Sequence, residues 1–311
     1  MEAFASTIKA QQFALSVWDM SPSQTNIPYI YYFKNPSSDP ADDFMPSGRL
    51  RASFLKALEE FPILVGHITV GKDGRYLVDV DPHNLNMPEY LESQSTVHFY
   101  DLEKAKFGWD ALPHAATVDV FCAAGVSGVI KLANVNIIRL EKNSGLVLFV
   151  STPHYVVDGV GYCTFVNRWA ELCRWMQCNA AENELPRRDF NFDRSTIGRF
   201  QSATPELIAK VDQLHNKSAA AFGNTIAKGI LIQNKVLVSN QSRFSLYQND
   251  FGSGIPEWVS PIPVFYANFG SILPVHPSAS DGYNIYLTAG KRIMANILQN
   301  KLWNAHVDLV Y

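Results

Sequence analysis

Leu146-Val-Leu-Phe-Val-Ser-Thr152, then Pro153, then His154-Tyr-Val-Val-Asp158-Gly159, running on to Met176, is the stretch that decides how this chain is read. The run Leu146 to Thr152 is short, almost unbroken in apolar residues and rich in β-formers, which predicts a strand buried on both faces. Behind it Phe165, Trp169, Leu172 and Met176 recur at helical spacing. Between the two, Pro153 cannot donate to a ladder, and Gly159 and Gly161 tolerate backbone angles closed to other residues. Strand, tight turn and helix follow, with the imidazole of His154 on the turn. A sheet mouth with a rigid backbone is where a general base is best mounted.

The rest of the chain predicts mixed strands and helices. Phe13 to Trp18 and Ile27 to Phe33 read as strands, and Asn35 to Pro40 as a loop. Ser47 offers a helix cap ahead of a face lined by Leu50, Phe54, Ala57, Leu58 and Phe61, and Pro62 closes that helix. His67 to Val70 and Arg75 to Val80 flank Lys72-Asp-Gly74 as a hairpin. Val129 to Leu140 forms a second hairpin with the run from Leu146 and delivers the chain to His154. From Asn179 to Thr204 the composition turns polar and charged, as in a crossover. Arginines there could meet phosphates, although a solvated linker explains them as well. Leu207 to Ala221 reads as a helix, Lys235 to Val238 and Tyr283 to Leu287 as strands, and Ile293 to Leu298 as a helix. The expected division is 1–178, a linker over 179–204, and 205–311.

Composition narrows the function. The 311 residues, 47% hydrophobic and 18% charged, fit a soluble globular protein of two lobes, which the mixed strands and helices above place in the α/β class. A net charge of −3 gives no reason to expect nucleic acid. No apolar run reaches the length of a bilayer span, and Met1-Glu-Ala-Phe lacks the features of a secretory signal, so a cytoplasmic location is expected. The cysteines Cys122, Cys163, Cys173 and Cys178 read as small apolar residues of a reducing compartment, and Cys173 with Cys178 lacks the second pair a metal would need. No metal is expected.

His154-x-x-x-Asp158-Gly159 on its strand-turn-helix resembles the BAHD acyltransferase family, in particular its fungal members. A second family mark, Asp-Phe-Gly-Trp-Gly, has a near match in Asp250-Phe-Gly252-Ser-Gly254. On the six letters alone, a structural histidine before an Asp-Gly turn is an equal reading; the context favours the base. The resemblance implies a two-lobed CoA-dependent acyltransferase fold of mixed sheets with flanking helices. It further implies an O- or N-acyltransferase that moves an acyl group from acyl-CoA to an alcohol or amine. Acyl-CoA is then a co-substrate, no separate cofactor is needed, and a monomer is expected. His154 is the implied general base, because imidazole titrates near neutrality. Asp158 is implied as a strut to an arginine of the other lobe, and Gly159, Asp250, Gly252 and Gly254 as structural residues.

Two departures stand out. Ser253 occupies the place of the family's Trp, and the interval between His154 and Asp250 is short: either residues are missing from it or the second lobe is shortened, and a shortened lobe implies exposed apolar surface. Counting back from Asp250, Ser239 and Gln241 fall where family members contact the oxyanion or acyl group. A catalytically weak relative that binds a ligand or partner therefore stands beside the enzyme. Among cousins, peptide-synthetase condensation domains carry a second histidine where Pro153 stands, and chloramphenicol acetyltransferases lack an equivalent of Asp250-Phe-Gly252.

Overall fold

The elements follow in chain order. They are α1 (Glu2–Ala5), β1 (Gln11–Ala14), β2 (Asn26–Lys34), α2 (Ser47–Glu60), β3 (His67–Val70), β4 (Tyr76–Val80), β5 (Glu89–Gln94), α3 (Phe99–Lys104) and β6 (Asn134–Arg139). After these come β7 (Gly145–Pro153), α4 (Gly159–Gln177), β8 (Leu237–Asn240), β9 (Trp258–Pro261), β10 (Phe269–Leu273), β11 (Asn284–Thr288), α5 (Lys291–Leu298) and α6 (Lys301–Asn304). This computed structural model describes residues 2–16, 19, 26–37, 39, 43–72, 76–113, 129–178, 185, 188–194, 236–262, 268–279 and 281–309. The helix expected over Leu207 to Ala221 lies outside them, as does Cys122.

The apolar run is β7, the middle strand of a five-stranded sheet ordered β5-β6-β7-β2-β9. Every residue of β7 is buried, as the run predicts, yet the strand is antiparallel to both neighbours. Alternate side chains explain this. Leu146, Leu148 and Val150 enter the main core with residues of α2 and α4, while Val147 and Phe149 enter a second cluster with Phe99 and Leu102 of α3. A sheet covered on both sides needs no polar face, whatever its strand directions.

Strand β2 follows the same logic, sending Tyr29, Tyr31 and Phe33 to one cluster and Ile30 and Tyr32 to the other. Helices α2 and α4 pack through Phe54, whose ring lies 6.1 Å from Phe165 and 5.0 Å from Trp169. The Trp169 indole Nε1 donates to the Leu50 carbonyl at 3.0 Å and to Ser53 Oγ at 3.1 Å. Ser47 does not cap α2. Pro46 holds that position in an extended conformation, and the Ser47 hydroxyl donates to Glu92 at 2.6 Å while accepting from Arg139 at 3.0 Å. Arg139 already grips the carbonyls of Phe44 and Met45, so the serine is drawn into that knot instead.

A small antiparallel sheet, β1-β4-β3, contains the expected hairpin. The described part of the 179–204 stretch packs on this first half. Phe190 and Phe192 lie 4.3 Å and 5.6 Å from Phe61, and Arg188 is paired with Glu171 at 2.8 Å. Two phenylalanines spaced by one residue give an otherwise polar segment an apolar edge.

In the second half β10 pairs with β11 antiparallel and with β8 parallel. Strand β8 begins two residues later than the run Lys235 to Val238 predicts, and α5 begins earlier than Ile293. Tyr283, Ile285, Leu302 and Leu309 are exposed here. Strand β9 returns to β2, with Tyr31 opposite Val259, and completes the central sheet. The segment joining β8 to β9 runs beside α4 from its first turn to its last: Phe244 sits against Gly159, Ser245 on Asn167, and Gly252 against Gln177.

Candidate functional site

His154 is the first residue beyond β7. The turn that carries it is closed by the amides of Val156 and Val157, which donate to the Pro153 carbonyl at 3.0 and 3.2 Å. Tyr155, Val156 and Val157 are buried, and Arg194 donates to the Val156 carbonyl from outside. His154 and Asp158 alone in this turn are exposed. A pinned backbone thus presents one free imidazole to solvent. Among the described residues His154 has no hydrogen-bond partner.

Asp158 caps α4. Its Oδ1 accepts from the Gly161 amide at 2.7 Å, which satisfies one of the orphan donors of the first turn. Among the described residues no arginine meets this carboxylate. The sequence signal for the cap was an aspartate immediately ahead of the helical stripe.

Gly159 and Gly161 do not adopt the left-handed backbone that the turn reading allowed them. Gly159 is needed for another reason: a Cβ there would stand 2.3 and 2.4 Å from atoms of the Phe244 ring. The glycine lets the second half of the chain lie directly on the start of α4.

The Asp250 motif sits at the far end of the same helix. Asp250 Oδ1 accepts from the amides of Gly252 at 2.7 Å and Gly254 at 3.0 Å, and both glycines have φ near +100°. The Arg174 guanidinium donates to the Asp250 carbonyl. Phe251 is wholly buried, edge-on to Trp169 at 4.9 Å and to Phe33 at 5.7 Å. Since α4 spans about 28 Å at 1.5 Å per residue, this motif is remote from His154. Ser253, at the position where a Trp was anticipated, is half-buried.

Ser239 and Gln241 lie on the segment that reaches the start of α4 through Phe244 and Gly159. Gln241 Oε1 accepts from the Tyr29 hydroxyl at 2.7 Å, and Gln241 Nε2 donates to Ser239 Oγ at 3.2 Å. Tyr29 packs on Tyr162 of α4 at 5.2 Å. The Tyr31 hydroxyl donates to that of Tyr162, which donates to the Val150 carbonyl, both at 3.2 Å. These tyrosines read in the sequence only as strand and helix core, so their hydrogen bonding was not foreseen.

Burial pushes the Cys163 thiol up to about 12 and raises Cys173 as well, so neither is a thiolate at neutral pH. Among the described residues no three His, Cys, Asp or Glu gather as metal ligands, and no helix is long and apolar enough to cross a membrane. A cavity of ≈ 250 Å³ opens on the outer side of α4, lined by Arg168, Glu171, Arg174, Arg188 and Phe190 among others. His154 is not part of its lining.

Comparison with known proteins bears on this arrangement. The model of the Transferase family matches residues 3–197. A hydroxycinnamoyl-CoA:5-hydroxyanthranilate N-hydroxycinnamoyltransferase of Avena sativa is 23% identical over 165 residues, 51% of this chain and 36% of that protein. A hydroxycinnamoyltransferase of Oryza sativa is 25% identical over 159 residues, 50% of this chain and 34% of that protein. The chain thus spans about a third of the length of the curated relatives it matches. Among solved structures, TRI101 of F. graminearum complexed with ethyl coenzyme A superposes with a TM-score of 0.68 at 12% identity, covering 97% of this chain and 100% of that one. Vinorine synthase gives 0.60 at 17% identity, with 95% and 93% covered. The fold is shared with both.

Proposed function

This chain belongs to the Transferase family of BAHD acyltransferases, and we propose that it transfers an acyl group from acyl-CoA to the hydroxyl or amine of a small molecule. The single observation that carries the reading is His154: exposed, on a turn held by three buried neighbours, at the end of a fully buried strand. In the proposed reaction an imidazole nitrogen takes the acceptor's proton as the new bond to the acyl carbon forms. The tetrahedral oxyanion then collapses, the carbon–sulfur bond breaks, and the imidazolium returns its proton to the departing CoA sulfur. Donor and acceptor react directly in a ternary complex, so no acyl-enzyme is formed. A positioned general base contributes roughly two to four orders of magnitude in rate.

Ser239 and Gln241 are proposed as the oxyanion side of the site, and Asp158, Gly159, Asp250, Gly252 and Gly254 as its frame. The lobe division at 178 and 204 belongs to the same proposal, with β9 as the strand that the second lobe lends to the first. So do a monomeric state, a cytoplasmic setting and the fungal branch, the last resting on the motif likeness. The relatives named hydroxycinnamoyltransferases make a hydroxycinnamoyl-CoA a natural first donor to try. His154→Ala should reduce thiol release from acyl-CoA plus pooled alcohols and amines by at least about a hundredfold. Wild-type turnover by that variant refutes the assignment. Ser253 keeps a second reading in view, a weak relative that binds rather than transfers; normal turnover of any acyl-CoA by the wild type ends it.

A further inference from the structure

We infer that Tyr29 is a positioning residue for this transfer, acting through Gln241 to make the Ser239 hydroxyl a donor to the developing oxyanion. The inference rests on the acyl-transfer reading above. Tyr29 is 2% exposed, and burial holds its phenol far above the ordinary range, so its proton stays in place. That proton is committed to Gln241 Oε1 at 2.7 Å. With its oxygen held, the amide must turn its NH₂ group toward Ser239, and Nε2 donates to Ser239 Oγ at 3.2 Å. A hydroxyl that already accepts still has one proton to give. No described residue takes it. The order of donors therefore runs outward from the core, Tyr29 to Gln241 to Ser239, and ends on a free O–H.

The first two members of this relay are fixed. The Gln241 backbone amide donates to the Ile272 carbonyl at 2.8 Å, and the Tyr29 ring lies against Tyr162. Tyr29 is three residues along β2 from Asn26, which pairs with Pro153, the neighbour of His154. At about 3.3 Å per residue that is on the order of 10 Å. Phe244, three residues beyond Gln241, rests on Gly159. The segment carrying the relay is thus held at the end of α4 where the histidine turn begins. When the acceptor attacks, its proton goes to His154 and the thioester carbonyl oxygen gains the negative charge. Ser239 then donates to that oxygen, and the bond is released when the carbonyl re-forms and CoA leaves.

Tyr29→Phe removes one hydroxyl and keeps the ring, and it is tested in the full chain. The probes are acetyl-CoA and a hydroxycinnamoyl-CoA, with pooled alcohols and amines and thiol detection. We expect kcat to fall about tenfold with KM for acyl-CoA within about twofold. Ser239→Ala should lower kcat by about 10²–10³-fold, and Y29F/S239A should be no slower than S239A alone. Gln241→Leu breaks the relay from its exposed side and should reproduce the Y29F loss, which keeps the test open if Y29F folds poorly. Unchanged kcat in Y29F, or a double variant slower than S239A by the full Y29F factor, overturns the inference. An inactive H154A beside unimpaired Y29F removes the relay alone. A wild type that releases no CoA, or an H154A that matches it, removes the acyl-transfer reading itself.

Discussion

At Gly159 the cost of one methyl group is legible in the geometry. A Cβ would stand 2.3 Å from the Phe244 ring, so the ring or the segment that carries it must shift. Gly159→Ala should lower stability by about 1–3 kcal/mol, the range for overpacking a filled site, measured as a drop in the urea midpoint at constant m. An unchanged midpoint would show that Phe244 moves freely. The sequence singled out this glycine for its backbone freedom, but the ring that presses on it lies in the other half of the chain, where no local pattern could name it. Tyr29 escaped notice for a similar reason. An aromatic in an alternating strand reads as core, and nothing local tells that its hydroxyl meets an amide more than two hundred residues later.

Helix α4 is the element on which most of these contacts converge. Its stripe of Phe165, Trp169 and Leu172 was plain from spacing alone, and the helix starts at Gly159 with Asp158 as its cap. Arg168 was not. Lying between apolar neighbours, its side chain is 1% exposed and held by Glu60 at 2.7 Å and Glu171 at 2.8 Å. Removing the cation strands Glu60, while Glu171 keeps Arg188, so Arg168→Met should cost about 3 kcal/mol, the lower end for breaking a buried pair because both glutamates keep some water. A thermal melt checks it, and a variant as stable as the wild type refutes it. Glu171 adds a pH dependence. Burial alone would raise its carboxyl, but Arg188 and Arg168 outweigh that and hold it below the ordinary value of 4.5. A depressed folded value means the contribution is present above 4.5 and fades as pH falls through the folded value. Unfolding midpoints taken across that interval should fall in the wild type and fall less in Glu171→Gln.

For the whole molecule, the question is whether the halves stand alone. Strand β9 covers the open edge of β2, and Phe251 fills the space between Trp169 and Phe33. Losing one such phenylalanine costs about 3–5 kcal/mol, a large share of the 5–15 kcal/mol that keeps a typical domain folded. A chain stopped at residue 194 should therefore show no sharp calorimetric transition; a cooperative one would mean the first half is self-sufficient. Local strands and helices were readable because periodicity is local. The pairing of β9 with β2 and the parallel placing of β8 beside β10 were not, since neither leaves a mark within a short window of sequence.

Strand β7 has a ladder on each edge and a packed cover on each face. Its amides can exchange with solvent only when the entire sheet comes apart, so it belongs to the last unit to open. His154 follows directly from that strand. Helices α5 and α6, which bury nothing, can fray and re-form many times while the imidazole keeps its aim, and the machine loses its working part only when it loses its fold.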